Sequence, residues 1–189
     1  MTTAGGGRLD EKTAAGLLPR RDARGHKGTF GRVVAVAGSL DYAGAALMTG
    51  AAALRAGSGL VTLCLPASLQ PHLVGRVPEL ITRGLPEAAP YAVEPDEAAA
   101  MVAGLPCDGL LIGPGLVPEA ATTRLVVTLL AGGGVPAVVD AGALAVLADR
   151  EHWWSDVGRP LIVTPHPGEF ARLGRDGGAG TDEDRRVAA

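Results

Sequence analysis

The order of apolar runs, glycine-rich loops and helical segments predicts a doubly wound α/β fold: a largely parallel sheet with helices on both faces, in three layers. Three observations carry this. The run Val33–Ala37 has no polar alternation, as expected of a strand buried on both faces. A glycine-containing loop and then a helical segment follow it, and that order recurs down the chain. The composition suits close backbone packing and tight turns, with 28 glycines, Ala-rich runs and only 3% aromatics.

Residues 1–24 read as a Gly-, Ala- and Arg-rich lead-in with a short amphipathic segment around Leu17-Leu18. Residues 25–174 are expected to form the α/β core. Gly25–Arg32 is a glycine-spaced basic loop opening the first strand. Gly38-Ser39 ends that strand, and a helix is expected over Gly44–Ala56. Ala45, Ala46, Ala51, Ala52 and Ala53 keep it thin, so backbone or ligand can approach closely. Gly57 and Gly59 stop it before the strand Leu60–Leu65. A short strand near a sheet edge is expected at Glu79–Thr82. Pro95–Ala103 reads as a helix, with Glu94, Asp96 and Glu97 near its positive end. Strand Asp108–Ile112, helix Pro118–Ala131, strand Pro136–Val139 and a helix beginning over Ala143–Ala148 follow. The apolar run Pro160–Val163 reads as a short buried strand, with the last strand spanning Leu161–Thr164. Pro167 suits the first turn of a helix over Glu169–Leu173. Residues 175–189 are polar and Gly-rich, and a disordered tail is expected there.

A chain of 189 residues with 47% apolar content suits one globular core. The 17 basic and 20 acidic residues leave a net charge of −3, which argues against a nucleic-acid footprint or a basic membrane face. The most apolar long stretch, Ala131–Ala148, is interrupted by Pro136 and Asp140, which argues against a membrane span. The first twenty residues lack the apolar core of a secretory signal. Cys64 and Cys107 lie in apolar surroundings without a CxxC motif, as expected of reduced thiols in a cytoplasmic protein.

In open parallel sheets, ligands bind outside the carboxyl ends of the strands. Four loops are expected there: Gly38-Ser39, Gly113-Pro114-Gly115, Asp140-Ala141-Gly142 and Pro165-His166-Pro167. Pro165 and Pro167 hold His166 on a stiff turn, and the helix that follows offers amide donors to an anion. The plainer alternative is that His166 caps or packs. Asp140 can orient a sugar hydroxyl or hold a metal-bound water, or it caps the next helix. Glu169 reads first as a stabiliser of its helix's first turn. Gly113-Pro114-Gly115 alone is also compatible with a simple tight turn. The Walker GxxxxGK pattern, a GxGxxG after a strand and a GxSxG elbow are all absent.

Taken together, six segments resemble one family. They are His26–Arg32, Ala37–Ser39 with Tyr42–Ala46, Ala53–Val61, Ile112–Leu116, Val139–Ala141, and Thr164–Glu169 with its His-Pro-Gly-Glu core. The likeness to the NAD(P)H-hydrate dehydratases, of the ribokinase-like superfamily, runs in order from about Gly25 to Leu173. It implies a ribokinase-like core and an ADP-dependent hydro-lyase (ATP-dependent in eukaryotes) acting with Mg2+. Such an enzyme phosphorylates the hydroxyl of the S form of hydrated NADH or NADPH and eliminates phosphate to restore the coenzyme. It also implies a functional link to an epimerase that interconverts the R and S forms, and a homo-oligomer. No fused epimerase is expected before Gly25. By the same resemblance, Ala45, Gly113, Gly115 and His166 contact the hydrated coenzyme, with Gly44, Asp140 and Glu169 as further contacts and no protein metal ligands.

Three departures stand out. Val117 replaces a usual glycine. Asp140-Ala141-Gly142-Ala143-Leu144-Ala145 replaces a run with a second aspartate and an asparagine. The family's later lysine–glycine nucleotide loop, and the Gly-rich segment ending in its catalytic aspartate, find no counterpart before Ala189. The core is therefore expected to be incomplete at its carboxyl end, the catalytic residue is left unassigned, and little or no turnover is expected from this chain alone. A ribokinase-like kinase of a vitamin precursor and a non-catalytic nucleotide-binding paralogue are the competing readings. The His-Pro-Gly-Glu segment with the His-Lys-Gly opening favours the dehydratase.

Overall fold

Alternation along each strand decides which helices that strand meets. The computed structural model describes residues 10–174, so the expected tail at 175–189 lies outside the described residues. The chain divides into two compact units at Gly25/His26. In the first, α1 (Glu11–Leu17) begins at Asp10, whose side chain accepts a hydrogen bond from the Thr13 amide.

The second unit runs β1 (Arg32–Val36), α2 (Ala43–Arg55), β2 (Leu60–Pro66), α3 (Gln70–Leu73), β3 (Ile81–Leu85), β4 (Glu87–Ala89), β5 (Ala92–Val93), α4 (Pro95–Ala103), β6 (Gly109–Ile112), α5 (Ala120–Ala131), β7 (Ala137–Val139), α6 (Gly142–Ala148), a short 3-10 helix (Trp153–Asp156), β8 (Leu161–Val163) and α7 (Pro167–Leu173). Six strands form one sheet in the order β3-β2-β1-β6-β7-β8, and every pairing in it is parallel. β4 and β5 form a separate antiparallel hairpin.

On one face, Ala35, Ala37, Leu63 and Leu65 pack with Ala46 of α2 and Leu69 and Leu73 around α3. On the other, Val34, Val36, Leu110 and Ile112 pack with residues of α4, α5 and α6, among them Val102, Leu125, Val126 and Leu144. These are the expected three layers. Alanines on the α2 side let that helix sit close, and branched residues fill the wider opposite layer.

One expectation is corrected. The run Pro160–Val163 does not make a buried strand: among the described residues β8 is the sheet's outer strand, paired only with β7, and Ile162 is 61% exposed. Leu161 and Val163 pack toward the α4–α6 side. Ile162 points to the α2 face, where α2 and α3 lie over β1 and β2. An apolar run of this length looks the same at the centre and at the edge of a sheet, so pattern alone misplaced it. The third strand begins at Ile81, two residues later than expected. No described helix is long and apolar enough to cross a membrane.

The amino ends of β1 and β6 are clamped by one ion pair. The Arg32 Nε and Nη2 donate to the two Asp108 carboxylate oxygens, each at 2.9 Å, and the Arg32 amide donates to the same carboxylate. The Asp108 amide donates back to the Arg32 carbonyl at 2.8 Å. The Arg32 hydrogen bonds hold the Asp108 carboxyl below its usual range. A depressed carboxyl stabilises the fold above its unfolded value of about 3.9, and that contribution disappears as pH falls through the lower folded value. Asp108→Asn is therefore expected to lower stability near neutral pH, with the gap from the parent protein closing in acid. Urea midpoints measured across that range check it; a gap that widens in acid would contradict the clamp.

Candidate functional site

Because all six strands run the same way, the loops after β1, β6, β7 and β8 emerge on one edge of the sheet. Main-chain hydrogen bonds tie them in sequence. The Gly113 amide donates to the Val36 carbonyl at 3.1 Å, Asp140 to Ile112 at 3.0 Å, and Thr164 to Val139 at 3.2 Å. The Gly38 amide donates to the Pro114 carbonyl at 2.8 Å, which joins the β1 loop to the β6 loop.

The glycines here are required by contact. Gly113 has φ +127°, and a Cβ on it would stand 1.8 Å from the Asp140 carbonyl oxygen. A Cβ on Gly115, at φ +74°, would stand 2.8 Å from the Tyr42 carbonyl oxygen and 3.0 Å from the Ala45 Cβ. Gly113-Pro114-Gly115 is thus a tight turn, closed by the Leu116 amide on the Gly113 carbonyl, and also the surface on which the start of α2 rests. Gly44, next to Ala45, has open space where its Cβ would be.

His166 is the N-cap of α7. Its Nδ1 accepts from the Gly168 amide at 3.0 Å and from the Glu169 amide at 3.4 Å. A nitrogen that accepts carries no proton, so in the neutral ring the proton sits on Nε2. Glu169 closes a capping box: its Oε2 accepts from the His166 amide at 2.9 Å, and its Oε1 lies 3.5 Å from His166 Nε2. The capping alternative for His166 and the first-turn alternative for Glu169 are both realised. The ring is nonetheless 67% exposed, while the Glu169 side chain is largely covered.

Asp140 does not cap α6. The N-cap is Ala141, at φ 49° and ψ −120°, and no side chain satisfies that turn. The half-buried Asp140 carboxylate has no hydrogen bond among the described residues. Ala141 is held in a conformation that favours glycine, and such strain tends to persist where a loop is pinned on both sides.

The structure brings Ala45, Gly113 and Gly115 together and sets Asp140 beside Gly113. Two strand steps separate β6 from β8, so His166 emerges roughly 10 Å along the edge. The cavity at this edge lies toward the other side, at the ends of β1, β2 and β3. It has a volume of about 180 Å3, and Ser39, Asp41, Leu65, Tyr91, Val117 and Glu119 are among its lining residues. Ala45, Gly113, Gly115 and His166 do not line it. The Ser39 hydroxyl is buried at this cavity without a partner among the described residues. Sequence reasoning named the Gly38-Ser39 loop but not the serine. It missed the β4–β5 hairpin altogether, although the turn at Pro90-Tyr91 marks it and Tyr91 lies at φ 65°. Cys64 also reaches the cavity, but burial pushes its thiol up to about 12, so it is an unreactive packing group. Among the described residues, no group of three or more His, Cys, Asp and Glu is arranged to hold a metal.

This parallel sheet with its edge of glycine loops defines an open α/β protein, and the fold is shared with a ribokinase-like one. A ribokinase-like superfamily protein from Enterococcus faecalis superimposes with a TM-score of 0.73 at 23% identity, over 95% of this chain and 62% of that one. A profile of the family described as NAD(P)H-hydrate dehydratase matches residues 33–189, and the chain belongs to that family. The Bifunctional NAD(P)H-hydrate repair enzyme Nnr of Moorella thermoacetica is 46% identical over 169 residues, 89% of this chain and 32% of that protein. The crystal structure of the ADP/ATP-dependent NAD(P)H-hydrate dehydratase of Bacillus subtilis, co-crystallized with ATP/Mg2+, matches with a TM-score of 0.70 at 32% identity, over 88% of this chain and 55% of that one. The chain thus spans from about a third to somewhat over half the length of these proteins.

Gly113→Ala is expected to cost at least about 1–3 kcal/mol through overpacking alone. Gly109→Ala, where nothing lies within 4 Å of the added carbon, serves as the control. Urea denaturation of the two variants checks the contrast; equal stabilities would show that the β6 loop can move away from Asp140.

Proposed function

We propose that this chain forms the coenzyme-binding part of an ADP-dependent (S)-NAD(P)H-hydrate dehydratase, which restores NADH or NADPH from the hydrated form. The observation that carries the reading is the open space beside Gly44, at the start of α2 where that helix is seated on the Gly113–Gly115 turn, within a chain of this family. A flat ring and its ribose need a wall without bulky side chains, and Gly44 with the neighbouring Ala45 offers one. The open Asp140 carboxylate beside Gly113 suits a ribose hydroxyl. His166, fixed by its cap, presents an Nε2–H donor further along the edge.

These residues bind and orient; none of them is assigned to proton transfer. Hydrogen-bonded and packed loops hold the coenzyme in one pose, which is where much of the benefit of positioning arises. ADP or ATP would supply the phosphoryl group. Mg2+ would arrive on the nucleotide's phosphates. A functional link to an epimerase is part of the proposal, supported by the bifunctional name of the Moorella relative.

The test is calorimetric titration of the folded chain with hydrated NADH, with and without ADP. Saturable binding is expected. His166→Asn keeps an acceptor for the α7 amides, so thermal stability should hold. Loss of the Nε2–H donor should weaken binding about two- to tenfold. Unchanged affinity in this variant would remove His166 from the site. No binding of hydrated NADH, with binding of a vitamin precursor instead, would overturn the reading in favour of a ribokinase-like kinase.

A further inference from the structure

The opposite end of the sheet carries a larger cavity, about 600 Å3, where the chain enters β6, β7 and β8. Its walls are the alanine face of α4, the last turns of α5 and the glycine run Gly132-Gly133-Gly134. Val102, Leu105, Leu110 and Leu129 make it mostly apolar. Two polar side chains matter. Asp96 at one rim is already paired with Arg124, at 2.5 Å. Arg159 lies at the other side, just before β8.

Arg159 is the unusual feature. Its Nη1 donates to the Val135 carbonyl at 3.2 Å, and its Nε is buried with no partner among the described residues. Its Nη2 lies against the Gly132 backbone, 3.8 Å from where a side chain would begin. Burial lowers its pKa from the usual guanidinium value, and no carboxylate among the described residues pairs with it. Arg159 is only part-buried, but its Nε, shielded from solvent and unpaired, costs free energy unless an acceptor meets it.

We propose that this cavity is a second ligand site, for a small amphipathic carboxylate whose head group meets Arg159 and whose hydrocarbon body lies against Val102, Leu105 and Leu129. The charge sign follows from Arg159, because Asp96 is neutralised by its own partner. The apolar body follows from the walls, which offer a chain of methylenes what a polar metabolite would lack. The site is separated from the carboxyl edge by the length of the strands, so it is independent of the coenzyme reading.

Octanoate and its neutral counterpart octanol are suitable probes, followed by calorimetry. Cys107 lines the cavity and is only half-buried, whereas Cys64 is fully buried, so maleimide labelling of Cys107 reports occupancy. Octanoate should bind saturably, about tenfold or more tighter than octanol, and slow Cys107 labelling. Arg159→Gln should bring octanoate down to the level of octanol. Ala103→Phe, at an exposed position on the α4 wall, should weaken both and tests the cavity if Arg159→Gln fails to fold. Octanoate binding that survives Arg159→Gln, or that leaves Cys107 labelling unchanged, would overturn the proposal. So would the absence of saturable binding.

Discussion

The close approach of the Gly113 backbone to the Asp140 carbonyl is the contact on which the carboxyl edge of the sheet depends. It exists because β6 and β7 run parallel and in register, Ile112 beside Val139, so their following loops leave at the same level. A side chain at position 113 would force those loops apart. The same logic extends outward on both sides. Gly142 comes so near the Leu116 carbonyl that a Cβ would stand 2.0 Å away, and Gly115 seats α2. The edge is therefore a set of loops packed backbone to backbone. Glycine is selected at these points by contact distance as much as by dihedral freedom.

That packing explains how one edge can be both rigid and bare. Hydrogen bonds from Gly113, Asp140 and Thr164 to the preceding strand satisfy the main chain, so the loops need no side chains to hold them. The polar groups that remain are few and conspicuous: the Asp140 carboxylate, the Ser39 hydroxyl and the exposed side of the His166 ring. Each is held by structure around it and left with unused hydrogen-bonding capacity. The His166 ring shows how a cap can fix a side chain and still leave part of it open. One nitrogen completes the first turn of α7 and thereby fixes the tautomer, so the other nitrogen is a donor of defined position.

The two ends of the sheet differ in chemistry for a reason rooted in topology. At the carboxyl end, strands feed directly into helices through short glycine loops, which leaves main chain exposed. At the amino end, the chain returns to strands through Leu105-Pro106-Cys107, Gly132–Pro136 and Gly158-Arg159-Pro160, from which Leu105, Cys107, Val135 and Arg159 line a mostly apolar recess. The Arg32–Asp108 clamp closes that end between β1 and β6. Nothing comparable pairs with Arg159 among the described residues. The recess beside it thus combines a large apolar wall with a single positive group.

Much of the fold was legible from residue order alone. The unbroken apolar run Val33–Ala37 specifies a strand buried on two faces, and the glycine after it specifies a sharp exit. Pro95 and Pro167 mark helix starts because each fixes φ and lacks a donor the first turn does not need. The loops that share the carboxyl edge followed from the parallel order. What the sequence could not determine were the relations between distant segments. The Pro160–Val163 run reads as a core strand, yet only the tertiary arrangement leaves β8 with one neighbour among the described residues and Ile162 exposed. The orphaned Ser39 hydroxyl, the open Asp140 carboxylate and the unpaired Arg159 Nε are likewise tertiary facts. A side chain's partners come from elements far away in sequence, and local pattern carries no record of which partners are missing.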